Sequence, residues 1–212
     1  MMSRLFEEFR QYLTKMQQYD HVTNLLYWDM RTKAPKLGQA AHIEALTHFS
    51  AESFALSTSG ELGEMLDKLV EPGEYDALDD TWKFIVDRMK RDFDRNRRIP
   101  ADVYEAFVRA QAESGTAWEE AKRSSDFSIY APHLKKMIDM RREITGYTDP
   151  GKELYDAMLD EFEEGMDSAT IDRLFQDLKQ ELIPLVQKIA AKNQPEDPRF
   201  HVYSDPDAQK KV

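Results

Sequence analysis

Two histidines and a glutamate lie close together on one predicted helix, and these side chains are the ones that hydrolytic zinc sites use. The segment HIEALTH runs from His42 to His48 and includes Glu44. In the HExxH motif, two histidines four residues apart point at one metal ion, with the glutamate beside them. Here the histidines are six positions apart, about 600° around a helix, so they emerge on different faces. This spacing excludes the HExxH arrangement.

Glu44 and His48 are four residues apart and share a helix face. The ordinary interpretation is a side-chain pair on a helix. The alternative is a metal site that these two residues complete with acids from elsewhere, such as Glu163. A carboxylate-bridged di-iron site is excluded, because it needs a glutamate three residues before a histidine and none of the five histidines has one. We therefore predict no catalytic residue and no cofactor for these 212 residues.

The composition limits the possible partners and the compartment. The formal net charge is −11, which argues against binding to nucleic acid and to anionic membranes. The acids Glu7 and Glu8 interrupt the apolar start of the chain, so no signal peptide is predicted. The absence of cysteine from the sequence excludes disulfides and thiolate metal ligands, and it favours a cytoplasmic location.

Apolar residues recur at steps of three and four along most of the chain, which predicts an all-α fold. The first helices are expected up to Met30, over 39–56 and over 61–70. The stripe from Ile171 to Ile189 is the most regular, and Pro184 inside it should kink the helix. Three tryptophans fall on such stripes, so core packing is their expected role: Trp28, Trp82 and Trp118.

The predicted domain organisation is one helical region followed by a tail. Residues 1–193 form about seven or eight helices, with a loop near 146–153. Residues 194–212 contain three prolines and no helical stripe, which indicates an irregular tail.

Four segments, in order along the chain, resemble peptidase family M32, the thermostable metallocarboxypeptidases. They are LLYWDMRTKAPKLGQAAHIEALTHFS, RRIPADVYEAF, AWEEAKRSSDFSIYAPHLKKMIDMRRE and YDAMLDEFEEGMDSATIDRLFQDLKQELIPLVQKI. The residues that mark the resemblance are expected to be structural: Trp28, Asp29, Pro35, Gly38, Pro100, Trp118, Asp126, Phe127, Tyr155, Asp156 and Gly165.

The resemblance implies a zinc- or cobalt-dependent enzyme that releases C-terminal amino acids from peptides. Members of the family fold as a mostly helical, zincin-type saddle around a deep cleft and commonly form homodimers. The two HExxH histidines and a downstream glutamate hold the metal, and the HExxH glutamate acts as the general base. The N-terminal helices form a cap over one side of the cleft.

This chain departs from the family pattern because it contains no HExxH. The resemblance covers roughly the first two-fifths of a typical member, and the tail resembles the start of the next family segment, so no catalytic residue can be transferred. Two functions follow as hypotheses. The chain is either the inactive cap region of such a carboxypeptidase or a stand-alone helical protein that mediates interaction or dimerisation. We expect exposed apolar surface, and we expect the chain either to self-associate through that surface or to be only partly ordered.

Overall fold

The computed structural model describes residues 3–192, and all regular structure in that range is helical. The prediction of an all-α fold is confirmed. The nine α-helices of the described range are α1 (Arg4–Thr32), α2 (Gln39–Ser57), α3 (Gly60–Leu69), α4 (Pro72–Tyr75), α5 (Asp80–Asn96), α6 (Ala101–Ser124), α7 (Phe127–Thr148), α8 (Leu154–Phe162) and α9 (Ser168–Ala190). A short 3-10 helix, Lys36–Gly38, joins α1 to α2.

The chain divides into two compact units, 1–158 and 159–212. The first contains α1 to α7 and the start of α8, and the described part of the second contains the end of α8 and α9. The loop expected near 146–153 corresponds to 149–153, because α7 continues to Thr148. The predicted boundary at residue 193 stays a prediction, since the tail of 194–212 lies outside the described residues.

The larger core of the first unit joins α1, α3 and α5. Its most deeply buried side chains come from these helices and the turn before α5: Phe6, Phe9, Leu62, Leu66, Leu69, Leu78, Val86 and Phe93. Gly63 faces Phe93 so closely that a Cβ would lie 2.5 Å from the ring atom Cζ. A glycine at this position therefore lets α3 and α5 approach each other.

A second core joins α2, α6 and α7. Phe54, Ile99 and Ile144 are buried in it, and the rings of Phe54 and Tyr104 stack with their centroids 3.9 Å apart. These contacts hold α2 against α6, and together with α1 these helices border a cleft.

Side-chain caps define where several helices begin. Ser3, Ser59, Asp79 and Asp167 each accept a hydrogen bond from the backbone N–H three residues further on. Such caps satisfy donors that have no partner inside the helix. Ser59 is the cap of α3.

The three tryptophans were expected to pack in the core, and this expectation was wrong for two of them. Trp82 packs against the larger core, with its ring edge-on to Phe6 at 4.8 Å. Trp28, however, is 61% exposed, because the buried Met30 lies two residues on and so points to the opposite side of α1. Trp118 is 42% exposed, since its face of α6 borders an open cleft and not a packed neighbour.

The apolar stripe of α9 is exposed to solvent. From Leu174 to Ile189, the large apolar side chains of this helix are 43–60% exposed. The helix is assigned as continuous through Pro184, and it contains no buried residue. The apolar surface expected from the sequence is therefore present on this helix.

Candidate functional site

The corner between α1 and α2 lies next to the segment from His42 to His48, which the sequence suggested as a possible metal site. The Asp29 carboxylate lies 2.9 Å from Nε2 of His42, and Nδ1 of the same ring lies 3.1 Å from the Gly38 carbonyl oxygen. The imidazole therefore bridges the end of α1 and the start of α2. Gly38 also packs on the ring of Pro35, where a Cβ would make an ordinary contact at 3.4 Å.

The Glu44 carboxylate forms an ion pair with Arg109 of α6. Both of its carboxylate oxygens face the guanidinium of Arg109, and Nη2 lies 3.3 Å from Oε2. The hydrogen bond from Arg109, together with its charge, lowers the pKa of Glu44. The ring of His48 packs edge-on against Phe49 instead.

The side chains of His42, Glu44 and His48 do not form a binding site for the metal ion that the resemblance implies for the full-length enzyme. Within residues 3–192, no three side chains of the types His, Asp and Glu lie close enough together to hold an ion. His42 is engaged by Asp29, and Glu44 by Arg109. We therefore derive no catalytic step through a metal at these residues.

The remaining residues that mark the resemblance lie at helix starts and turns. Pro100 directly precedes α6 as its N-cap residue. Asp126 caps α7, and its carboxylate accepts hydrogen bonds from the hydroxyl and the backbone N–H of Ser128, which lower its pKa. Phe127 follows it and is exposed, with its ring edge-on to Tyr130.

Three more of these residues lie in or after α8. Tyr155 and Asp156 occupy the first turn of that helix, where both backbone N–H groups donate to the Glu153 carboxylate. Gly165 adopts a φ of +80°, a conformation that favours glycine, and its N–H donates to Asp160. The expectation of structural roles stays a prediction, but the geometry gives these positions capping and turn contacts.

A cleft of about 750 Å³ lies in the first unit. Residues of α1 and α6 form its opposite walls, α2 contributes Gln39, Leu46 and Ser50, and α7 contributes Tyr130 and Met137. An ion pair closes one part of its rim, where Nη1 of Arg31 lies 2.7 Å from Oε1 of Glu119. Of the residues singled out in the sequence, only Trp118 lines it directly.

A second, smaller cavity of about 520 Å³ lies beside the first. Gln111 and Met137 border both cavities, and Tyr155 lines the smaller one. The guanidinium of Arg141 lies over the ring of Phe107 in its wall.

Local sequence patterns did not predict the cleft. Its ion pair joins residues 88 positions apart, and no local pattern links Arg31 to Glu119. The one available signal was the small residues of the α6 stripe, such as Ala110 and Ser114, which often occur where a helix is approached closely.

Comparison with solved structures defines the class of protein first. The BsuCP crystal structure superposes with a TM-score of 0.88 at 32% sequence identity, over 99% of this chain and 42% of that one. A structure of Pyrococcus furiosus carboxypeptidase gives a TM-score of 0.72 at 26% identity, over 90% and 38%. The fold is thus that of one part of an all-α carboxypeptidase.

The sequence comparisons then identify the family. The model for carboxypeptidase Taq (M32) metallopeptidases matches residues 8–212, and the chain belongs to this family. Carboxypeptidase 1 of Bacillus subtilis is 34% identical over 205 residues, and thermostable carboxypeptidase 1 of Pyrococcus furiosus is 31% identical over 193. The matched regions cover 97% and 86% of this chain but only 40% and 37% of those relatives. No helix within residues 3–192 is long and apolar enough to cross a membrane.

Proposed function

We propose that this chain forms the cap over one side of the substrate cleft of a metal-dependent carboxypeptidase. The observation that carries the proposal is the match of almost the whole chain to about two-fifths of the curated relatives. The catalytic motif HExxH is absent from the 212 residues. The chain by itself is therefore inactive, and zinc or cobalt belongs to the region that carries that motif.

The peptide substrate and the compartment are parts of the same proposal. The relatives that match are named carboxypeptidases, which supports peptides as substrates of the assembled protein. The cysteine-free sequence supports a cytoplasmic location.

Fragment complementation tests this function. The chain is co-expressed with the part of Bacillus subtilis carboxypeptidase 1 that it does not match, and release of C-terminal residues from blocked dipeptides is measured with zinc or cobalt. We expect no turnover by the chain alone and chelator-sensitive turnover by the pair. Chelator-sensitive turnover by the purified chain alone would contradict the proposal, as would an inactive pair in which both parts are folded and associated.

A matched pair of variants shows whether the apolar face of α9 mediates the association. Leu178→Glu places a charge on the apolar stripe, whereas Gln176→Glu adds the same charge outside it. We expect the first variant to lose complementation and the second to keep it.

The second candidate is a stand-alone protein that self-associates as a homodimer. The exposed stripe of α9 is the observation that favours it, because contiguous apolar surface of this kind commonly marks an interface. Extending the gene sequence past Val212 distinguishes the two candidates, since a downstream HExxH supports only the first.

A further inference from the structure

The imidazole of His42 faces two oxygen atoms at the corner between α1 and α2. Its Nε2 lies 2.9 Å from Oδ2 of Asp29, and its Nδ1 lies 3.1 Å from the carbonyl oxygen of Gly38. An ionised carboxylate and a backbone carbonyl act only as hydrogen-bond acceptors. The ring must therefore carry a proton on each nitrogen to form both hydrogen bonds, and only the positively charged imidazolium has both protons.

Loss of one proton changes these contacts in a defined way. A neutral imidazole has one N–H donor and one acceptor nitrogen. Its donor is best used toward Asp29, because a hydrogen bond to an ionised acceptor is roughly twice as strong as one between neutral groups. The Nδ1 lone pair then faces the Gly38 carbonyl oxygen at 3.1 Å, and two acceptors repel each other. The hydrogen bond between the ring and Gly38 is therefore the one that deprotonation removes.

Asp29 is the one charged side chain of the described range that forms an ion pair with the His42 ring. Deprotonation of the ring thus turns a neutral pair into a single negative charge. Lys33, at the end of α1, forms no ion pair within the described range. The other charged side chains on the segments packed around the corner are paired elsewhere: Arg31 with Glu119, Lys36 with Glu120, Arg109 with Glu44 and Glu105, and Glu113 with Lys136.

The corner continues directly into one wall of the cleft between α1 and α6. Met30 and Arg31 follow Asp29 in the chain and line that cleft, as does Gln39. The side-chain amide of Gln39 donates to the Met30 carbonyl oxygen at 3.2 Å. This contact and the two contacts of His42 together determine how α1 turns into α2. The His42 side chain is 25% exposed, so it can exchange protons with solvent.

We propose that His42 is a pH-sensitive clasp at the corner between α1 and α2. The doubly protonated ring bonds to both Asp29 and Gly38 and holds the corner together. As the pH rises through the range in which histidine loses its charge, about pH 5 to 8, the ring releases Gly38. The stabilisation by this contact is thus present at the lower pH and lost at the higher pH. The clasp is a property of this chain and does not depend on the proposed function.

Thermal unfolding of the 212-residue chain at about pH 5.5 and about pH 8.5 tests the proposal. His42→Gln mimics the neutral ring, because glutamine can donate to Asp29 but carries no charge. We expect the unaltered chain to melt about 2–4 °C above this variant at the lower pH, as for the loss of one hydrogen bond in a chain of this size. The difference should disappear at the higher pH. His21→Gln makes the same change at an exposed position of α1 and should melt like the unaltered chain at both pH values.

Asp29→Asn should remove the pH dependence, because asparagine can donate as well as accept. A neutral ring can then donate from Nδ1 to Gly38 and accept at Nε2 from the new amide. In this background we expect His42→Gln to lower the melting temperature by the same amount at both pH values. All variants are compared at one concentration at which sedimentation velocity shows the same species.

Nitrogen-15 NMR of the unaltered chain, labelled at histidine, tests the clasp even if a variant fails to fold. We expect the neutral ring of His42 at about pH 8.5 to keep its proton on Nε2, toward Asp29. A proton on Nδ1 instead would overturn the proposal. So would a melting difference between the unaltered chain and His42→Gln that is equal at both pH values, or one that still changes with pH in the Asp29→Asn background.

Discussion

At the residue scale, close contacts and single charges decide how this chain packs. Gly63 shows this most clearly, because only a residue without a side chain fits against the ring of Phe93. Gly60, three residues earlier on the same helix, has open space around its Cα. Two glycines of one short helix therefore have different physical roles.

Gly63→Ala should destabilise the protein, whereas Gly60→Ala should not. Phe93 is buried, so it cannot move aside from a new Cβ at 2.5 Å without disturbing the core. Overpacking of this kind costs about 1–3 kcal/mol, more than the 0.5–1 kcal/mol or so that alanine gains over glycine in a helix. Urea unfolding of both variants measures the difference. Equal free energies of unfolding for the two variants would show that the core around Phe93 rearranges to accommodate the added methyl group.

Asp126 should contribute stability that depends on pH. Its pKa is lowered in the folded chain by hydrogen bonds from Ser128, so its contribution is fully present above the ordinary value of 3.8. The contribution is lost as the pH falls through the lowered pKa. We expect Asp126→Asn to melt at a lower temperature than the unaltered chain at pH 7, and the difference to shrink below pH 3.8.

A melting-temperature difference for Asp126→Asn that stays the same down to the lowest pH would contradict this account. Asp139→Asn is the control, because this aspartate lies on the same helix and no hydrogen bond to the backbone is recorded for its carboxylate.

At the element scale, a buried ion pair connects the C-terminal ends of α5 and α7. Nη2 of Arg95 lies 2.6 Å from Oδ2 of Asp149, and their side chains are only 16% and 9% exposed. Arg98 adds a hydrogen bond from its guanidinium to the Thr148 carbonyl oxygen. These contacts hold the end of α7 and the following loop against the end of α5.

Arg95→Met should cost about 2–4 kcal/mol, because it leaves the Asp149 carboxylate buried with weaker compensation. Lys152, 3.5 Å away, remains as its partner and limits the loss. Arg4→Met breaks a pair in which the arginine is 93% exposed and should cost less than about 1 kcal/mol. Chemical denaturation measures both. Similar losses for the two variants would show that burial does not set the strength of the Arg95 pair.

At the scale of the whole molecule, the second unit is notable for the exposed apolar stripe of α9. The stripe of α9 is as exposed as a typical surface helix, although its residues are those of a core helix. Leaving several large apolar side chains in water is unfavourable, which gives a driving force for association with another protein surface.

The isolated chain should therefore self-associate in a concentration-dependent manner. Sedimentation velocity over a hundredfold range of concentration should show a species larger than the monomer, which Leu178→Glu shifts back to monomer. Gln176→Glu should behave like the unaltered chain. A monodisperse monomer at all concentrations would remove the support for the homodimer.

Local sequence information was enough to predict the helical fold, the positions of the first three helices and the family. Each of these depends on local information: the spacing of apolar residues, the capping residues such as Ser59 and Asp79, and contiguous segments such as the one around Trp28 and Asp29. The spacing of His42 and His48 also excluded HExxH without a structure.

Which side of each helix is covered, and which distant residues meet, became known from the positions of the helices in the folded chain. These positions leave Trp28 and Trp118 exposed, pair Glu44 with Arg109, and bring Arg31 to Glu119 across the cleft. Helical periodicity gives the direction in which a side chain points but not what lies opposite, because the neighbour comes from a part of the chain 65 or 88 residues away. For that reason the cleft could be found only after the helices had been placed against one another.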